Sequence, residues 1–149
     1  MERQSLDHLL EVHRALVVKC MATPPDPIET SALSAMLHSF YTGIENLFKR
    51  IAVHLDGGVP QGEMWHSRLL DSMMVTTPGR RMVIMREVLH GYLTFRHVFR
   101  HAYAFELRWS KMAPLVLECE RSWCRLKNEL DEFVKLMDAR YSTPEKGQR

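Results

Sequence analysis

Apolar residues recur at spacings of three and four through nearly every segment longer than ten residues, and sustained period-two alternation is found nowhere. This regularity restricts the chain to helices, because such spacing lines up one helical face whereas a half-buried strand needs alternation. The first helix carries Leu6, Leu9, Leu10, His13, Leu16, Val17 and Cys20 on one face. Ser5 is its expected N-cap, and the cluster Thr23, Pro24, Pro25, Asp26, Pro27 ends it. A second helix, residues 28–55, aligns Leu33, Met36, Leu37, Phe40, Ile44, Leu47, Phe48 and Ile51 and stops at Asp56, Gly57, Gly58. Residues 63–75 read as a short helix. A third long helix is predicted over residues 80–106 and a fourth from Pro114, placed in its first turn, to Asp138. The fold class that follows is all-α, an up-and-down bundle of four long helices with a short inserted helix. It is expected to fill residues 1–140 as one domain, with 141–149 a frayed polar tail.

Composition excludes several other classes. A chain of 149 residues, 46% hydrophobic and 26% charged, is neither collagen-like nor disordered, and it can bury a core without disulfides or a structural metal. Cys20, Cys119 and Cys124 are odd in number and lack Cys-x-x-Cys spacing, so they read as reduced, small buried hydrophobes. No apolar run approaches the ~18 residues of a membrane span. The start, MERQSLDHLL, has acids where a secretion signal would be apolar, so a cytoplasmic protein with no membrane partner is expected. No glycine-rich phosphate loop, His-Glu-x-x-His or Gly-x-Ser-x-Gly pattern occurs, and neither metal nor cofactor is expected.

Charge is uneven. Residues 80–108 hold Arg80, Arg81, Arg86, Arg96, Arg100 and Arg108 against Glu87 and Glu106, a net +4 within a chain of net +2. Such a segment is either a solvated face or an electrostatic footprint for a polyanion. Inside it lies YLTFRHVFRHAY, residues 92–103. On a helix of about 100° per residue, Arg96, His97, Arg100, His101 and Tyr103 fall within an arc of roughly 160°. Met85, Leu89, Tyr92 and Leu93 share the sector of Arg96, so the arginine continues an apolar stripe. A charge at the edge of such a seam is usually paired, or lines a cleft or subunit interface, since burying it alone is costly.

Arg96, four residues, His101, one residue, Tyr103 resembles the Arg-x4-His-x-Tyr motif of the HepT-like HEPN ribonucleases. Arg3 to His8 repeats the bare spacing, but lacks the tyrosine, the mid-chain helix and the basic surroundings. The likeness extends to FYTGIENLFKRIA (40–52), DGGVPQGEMWHSRLL (56–70) and FRHVFRHAYAFELRW (95–109). His97 stands where asparagine is common in that family.

The resemblance implies the toxin of a toxin-antitoxin pair, a metal-independent endoribonuclease whose nucleophile is the RNA 2′-hydroxyl. Arg96 and His101 would be catalytic, the first a phosphate fork and the second an acid/base group. His97 and Arg100 would position RNA, with Arg80, Arg81 and Arg86 as more distant contacts. It further implies a homodimer in which two motifs meet, and a minimal nucleotidyltransferase (MNT) antitoxin that silences the toxin by AMPylation of Tyr103. Other readings of the same residues stand beside these. Tyr103 could simply pack its ring; His97 and His101 could ligate a metal, though no third ligand is near in sequence. The module could also bind nucleotide or RNA, or serve as a transferase's partner subunit, without cleaving.

Overall fold

In the computed structural model, which describes residues 1–84, 87–101 and 107–142, the periodic segments form α1 (Glu2–Cys20), α2 (Pro27–Leu55), α3 (Trp65–Met73), α4 (His90–His101) and α5 (Trp109–Ser142). A single 3-10 turn, Glu87–Leu89, leads into α4. The described residues are thus an all-α bundle without strands; one isolated bridge pairs Thr77 with Arg80. No described helix is long and apolar enough to cross a membrane.

Helix α2 is the central strut, and its start is firmly encoded. The Asp26 carboxylate accepts from the Glu29 N–H at 2.7 Å, and the Glu29 carboxylate accepts from the Asp26 N–H at 3.1 Å. With Pro27 in the first turn, this reciprocal box satisfies donors the helix would otherwise leave open. The stripe Leu33, Met36, Leu37, Phe40, Ile44 and Phe48 is buried against the other helices. Phe40 meets Tyr92 of α4 edge-on at 5.1 Å and Trp123 of α5 at 6.4 Å, so one ring ties three helices together. Helix α1 lies close against α2 at Gly43, where a Cβ would come within 2.6 Å of Leu6 Cδ2. The Trp123 indole N–H and Lys127 Nζ both donate to Asp7 Oδ1, closing α1 onto α5.

Four expectations are corrected. Ser5 lies inside α1, which begins at Glu2, and its hydroxyl donates to the Met1 carbonyl. Pro114 lies in the second turn of α5, because the Arg108 carbonyl already accepts from the Lys111 and Met112 N–H groups and starts the helix earlier. Cys20 and Cys119 are buried as expected, but Cys124 is exposed. The largest departure is the third helix, which starts at His90 and not at residue 80. Its predicted end, residues 102–106, lies outside the described residues.

The physical reason is Arg80. Its side chain is wholly buried, with Nε donating to Asp56 Oδ1 at 2.7 Å and Nη2 to Oδ2 at 2.8 Å. The remaining donors go to the carbonyls of Ser72, Val75 and Arg81. All five guanidinium N–H groups are therefore used. Next to it, the Val83 and Ile84 N–H groups both donate to the Met73 carbonyl, holding this stretch against the end of α3. The segment gains more from satisfying a buried arginine and tying down α3 than from continuing a helix. Deleting one partner of a buried pair leaves the other uncompensated, so Arg80→Ala is expected to cost about 3–5 kcal/mol in urea unfolding. Arg80→Lys, which lacks the fork, should also destabilise clearly. A loss below about 0.5 kcal/mol for Arg80→Ala, the range of an ordinary surface change, would contradict this account.

Candidate functional site

Helix α4 and the turn before it point Leu89, Tyr92 and Phe95 inward, and Arg96 follows on the same side with only 14% of its side chain exposed. Facing it from α2 is Glu45, at 2% exposure one of the few buried charges of the protein. Arg96 Nη1 donates to Glu45 Oε2 at 3.1 Å. His66, in the first turn of α3, brings Nδ1 to 2.5 Å from the same oxygen and to 2.7 Å from Arg96 Nη1. Nδ1 cannot both donate to Glu45 and accept from Arg96. The short approach to a buried carboxylate favours Nδ1–H donating to Oε2, since an ionised acceptor gains most from being bonded. Lys49 Nζ lies 3.7 Å from the other carboxylate oxygen and 4.7 Å from the centre of the Trp65 ring, which in turn lies 3.6 Å from the His66 ring.

A polar seam continues along α2. His38 and Thr42 lie two turns and one turn before Glu45, and His38 Nδ1, Thr42 Oγ1 and Arg96 Nε are buried without a hydrogen-bond partner among the described residues. The His38 ring stacks on Phe99 of α4 at 4.8 Å. Burial first, then the positive charges of Arg96 and Arg100, hold the His38 imidazole below its ordinary titration range.

Beyond this buried cluster the surface opens into a groove of about 580 Å³ between α3 with its preceding turn and α4. Glu63, Met64, His66 and Ser67 form one bank, and His90, Arg96, His97, Arg100 and His101 stand on the other. His97, Arg100 and His101 are exposed, and the rings of the two histidines are 4.7 Å apart. Four of the residues expected to act together are therefore on one groove: Arg96, His97, Arg100 and His101. Among the described residues, no three His, Cys, Asp or Glu side chains are placed to hold a metal ion together.

The other expected residues are elsewhere. Arg80 is corrected from an RNA contact to a structural group, because all its donors are engaged inside the protein. Arg81 is exposed but lines a different and larger groove, about 900 Å³, walled by Met82, Val83, Phe133 and Leu136. Arg86 and Tyr103 lie outside the described residues. Conversely, sequence reasoning missed Glu45 and His66. A signal for Glu45 was present: it lies at core register with Tyr41, Phe48 and Ala52, where a carboxylate has to be paired. His66 carried no such mark.

The seam generates a pH prediction. Because folding lowers the His38 affinity for a proton, the unfolded chain binds more protons once pH falls below about 6.5, and stability falls with it. His38 therefore imposes no penalty above that value and an increasing one as pH drops toward its folded pKa. Urea midpoints of His38→Gln should fall less between neutral and mildly acidic pH than those of the wild type; parallel curves would remove His38 from this role.

A sequence model of the family described as HepT-like protein matches residues 32–137, which span α2 to α5 and include Glu45, His66, Arg96 and His101. No curated protein and no solved structure matches the chain. A match over this much of the sequence, joined to an all-α bundle with the Arg96 to His101 motif on one groove-lining helix, establishes that the chain belongs to the HepT-like family.

Proposed function

We propose that this protein is the toxin of a toxin-antitoxin pair, a metal-independent endoribonuclease acting in the cytoplasm. The observation that carries the reading is the groove that receives Arg96, His97, Arg100 and His101 from about a turn and a half of α4. Cleavage through the 2′-hydroxyl needs a proton acceptor, a proton donor and fixed positive charge at the phosphorane, and these side chains supply that chemistry. His101, exposed on the groove, serves as an acid/base group. Arg96 meets the phosphate oxygens with the part of its guanidinium that Glu45 leaves free, and the carboxylate fixes the direction of the fork. His97 and Arg100 hold the RNA backbone on the exposed side of the same helix; Arg86 and Arg81 would extend that contact outside the groove.

The functional unit in this reading is a homodimer that brings two motifs together. Its partner is an MNT-type nucleotidyltransferase antitoxin that transfers AMP to Tyr103. The added phosphates would place negative charge two residues from His101 in sequence and compete with RNA for the arginines. A second reading, a non-catalytic module that binds nucleotide or RNA or serves as a subunit of the transferase, draws on one observation: Arg96 Nη1 is already bonded to a buried carboxylate and so has a packing role of its own.

Incubation of total cellular RNA with the purified protein in EDTA separates the two. Cleavage leaving 2′,3′-cyclic phosphate ends is expected, with a loss of about 10²-fold or more in His101→Ala. Arg96→Lys is expected to lose a comparable factor, because an ammonium does not reproduce the fork. Mass spectrometry of Tyr103 accompanies the assay, since protein carrying AMP there would be silent. Absence of cleavage by unmodified wild-type protein, or full activity in His101→Ala, would transfer the assignment to the non-catalytic module.

A further inference from the structure

We infer that His66 is a second acid/base group of this groove, the proton acceptor that works opposite His101; this rests on the ribonuclease reading above. His66 does not belong to the motif helix. It enters from α3 on the opposite bank, so that RNA lying in the groove would have an imidazole on each side.

Its setting differs from that of the other histidines. Nδ1 is held at 2.5 Å by the buried Glu45 carboxylate, the ring lies against Trp65, and 22% of the side chain remains exposed on the groove. Among the described residues, nothing bonds Nε2. A carboxylate on Nδ1–H fixes the tautomer whose Nε2 lone pair is the acceptor. His38, by contrast, is not on the groove, His97 and His101 are exposed without a carboxylate partner among the described residues, and His90 has its carboxylate, Asp71, 3.7 Å from Nε2, the nitrogen a base would need open to the groove.

The proton balance closes. The 2′-hydroxyl gives its proton to His66 Nε2 while O2′ forms a bond to phosphorus, and the P–O5′ bond breaks as His101 in its imidazolium form delivers a proton to O5′. The products are a 2′,3′-cyclic phosphate and a free 5′-hydroxyl, with His66 protonated and His101 neutral until exchange with water resets both. The charged and titratable groups around His66 are Glu45 and Lys49 from α2 and Glu63 from the turn before α3. From the α4 side they are Arg96, His97, Arg100 and His101, with His90 at its start.

The test compares the wild type, His66→Asn, His66→Gln and His101→Ala on one RNA oligonucleotide that the wild type cuts, in EDTA, from about pH 5 to about pH 9. Circular dichroism and urea midpoints check that each variant is folded. Asparagine keeps an N–H where Nδ1–H bonded Glu45, so it preserves any role in positioning Arg96 while removing the base. Glutamine is the second variant should asparagine fail to fold. Both are expected to be folded and slowed by about 10²-fold or more, and to lose the acid-side fall of the rate, which reports a group that must be unprotonated. Wild-type speed in His66→Asn, or an intact acid limb in the slowed variants, would reduce His66 to an anchor for Glu45. The ribonuclease reading would still stand if His101→Ala were then inactive. Absence of any cleavage by unmodified wild-type protein would overturn both.

Discussion

The site depends on one carboxylate that would not be tolerated alone. Glu45 is buried between α2, α3 and α4, and each neighbouring element contributes a basic group to it: Arg96 from α4, His66 from α3 and Lys49 one turn along α2. Desolvating a carboxylate costs several kcal/mol unless it is paired and hydrogen-bonded. That cost forces the three helices into one relative arrangement. Packing and chemistry therefore meet in the same contact, since the arrangement that neutralises Glu45 also aims a guanidinium and an imidazole at the groove. The unpartnered Nε of Arg96 shows that the guanidinium is not saturated by the protein, in contrast to Arg80.

The two arginines illustrate how the same residue type divides between a saturated structural position and a groove-lining one. Arg80 has all its donors engaged and no surface exposed, so it carries no capacity for a ligand. Arg96 is anchored at one nitrogen and lines an open groove with three exposed basic side chains. A side chain held from behind and open in front loses little conformational freedom when a phosphate arrives, which is the condition for a preorganised electrostatic site.

Much of this was legible in the sequence. The periodicity of α1, α2, α3 and α5 gave their existence and their buried faces, and the break in pattern that placed Arg96 on an apolar stripe marked the site. What was not legible has a common cause. Residues 80–89 read as part of a helix from the sequence, and only a partner far away in sequence, Asp56, reveals that Arg80 is held outside one. Pro114 looked like a first-turn residue because the helix-starting bonds to the Arg108 carbonyl leave no local signature. Glu45 could have been noticed as a carboxylate at core register, but its partners on α3 and α4 are defined only by tertiary packing. His66 has no distinguishing neighbour in sequence; its significance comes entirely from where α3 is set down.

The Asp56–Arg80 bridge gives that placement its firmness. It joins positions 24 apart and closes a loop that contains all of α3, while Arg80 donates to the Ser72 and Val75 carbonyls and the Val83 and Ile84 N–H groups donate to the Met73 carbonyl at the C-terminal end of that helix. A short helix that would be marginal in isolation is thereby clamped at its C-terminal end, with His66 bonded to Glu45 near its start, and the entropy of closing the loop is met away from the groove by a buried arginine and a largely buried aspartate. The bank bearing His66 behaves less like a flap than like the fixed jaw of a vice, so adjustment of the groove's width falls to the opposite bank.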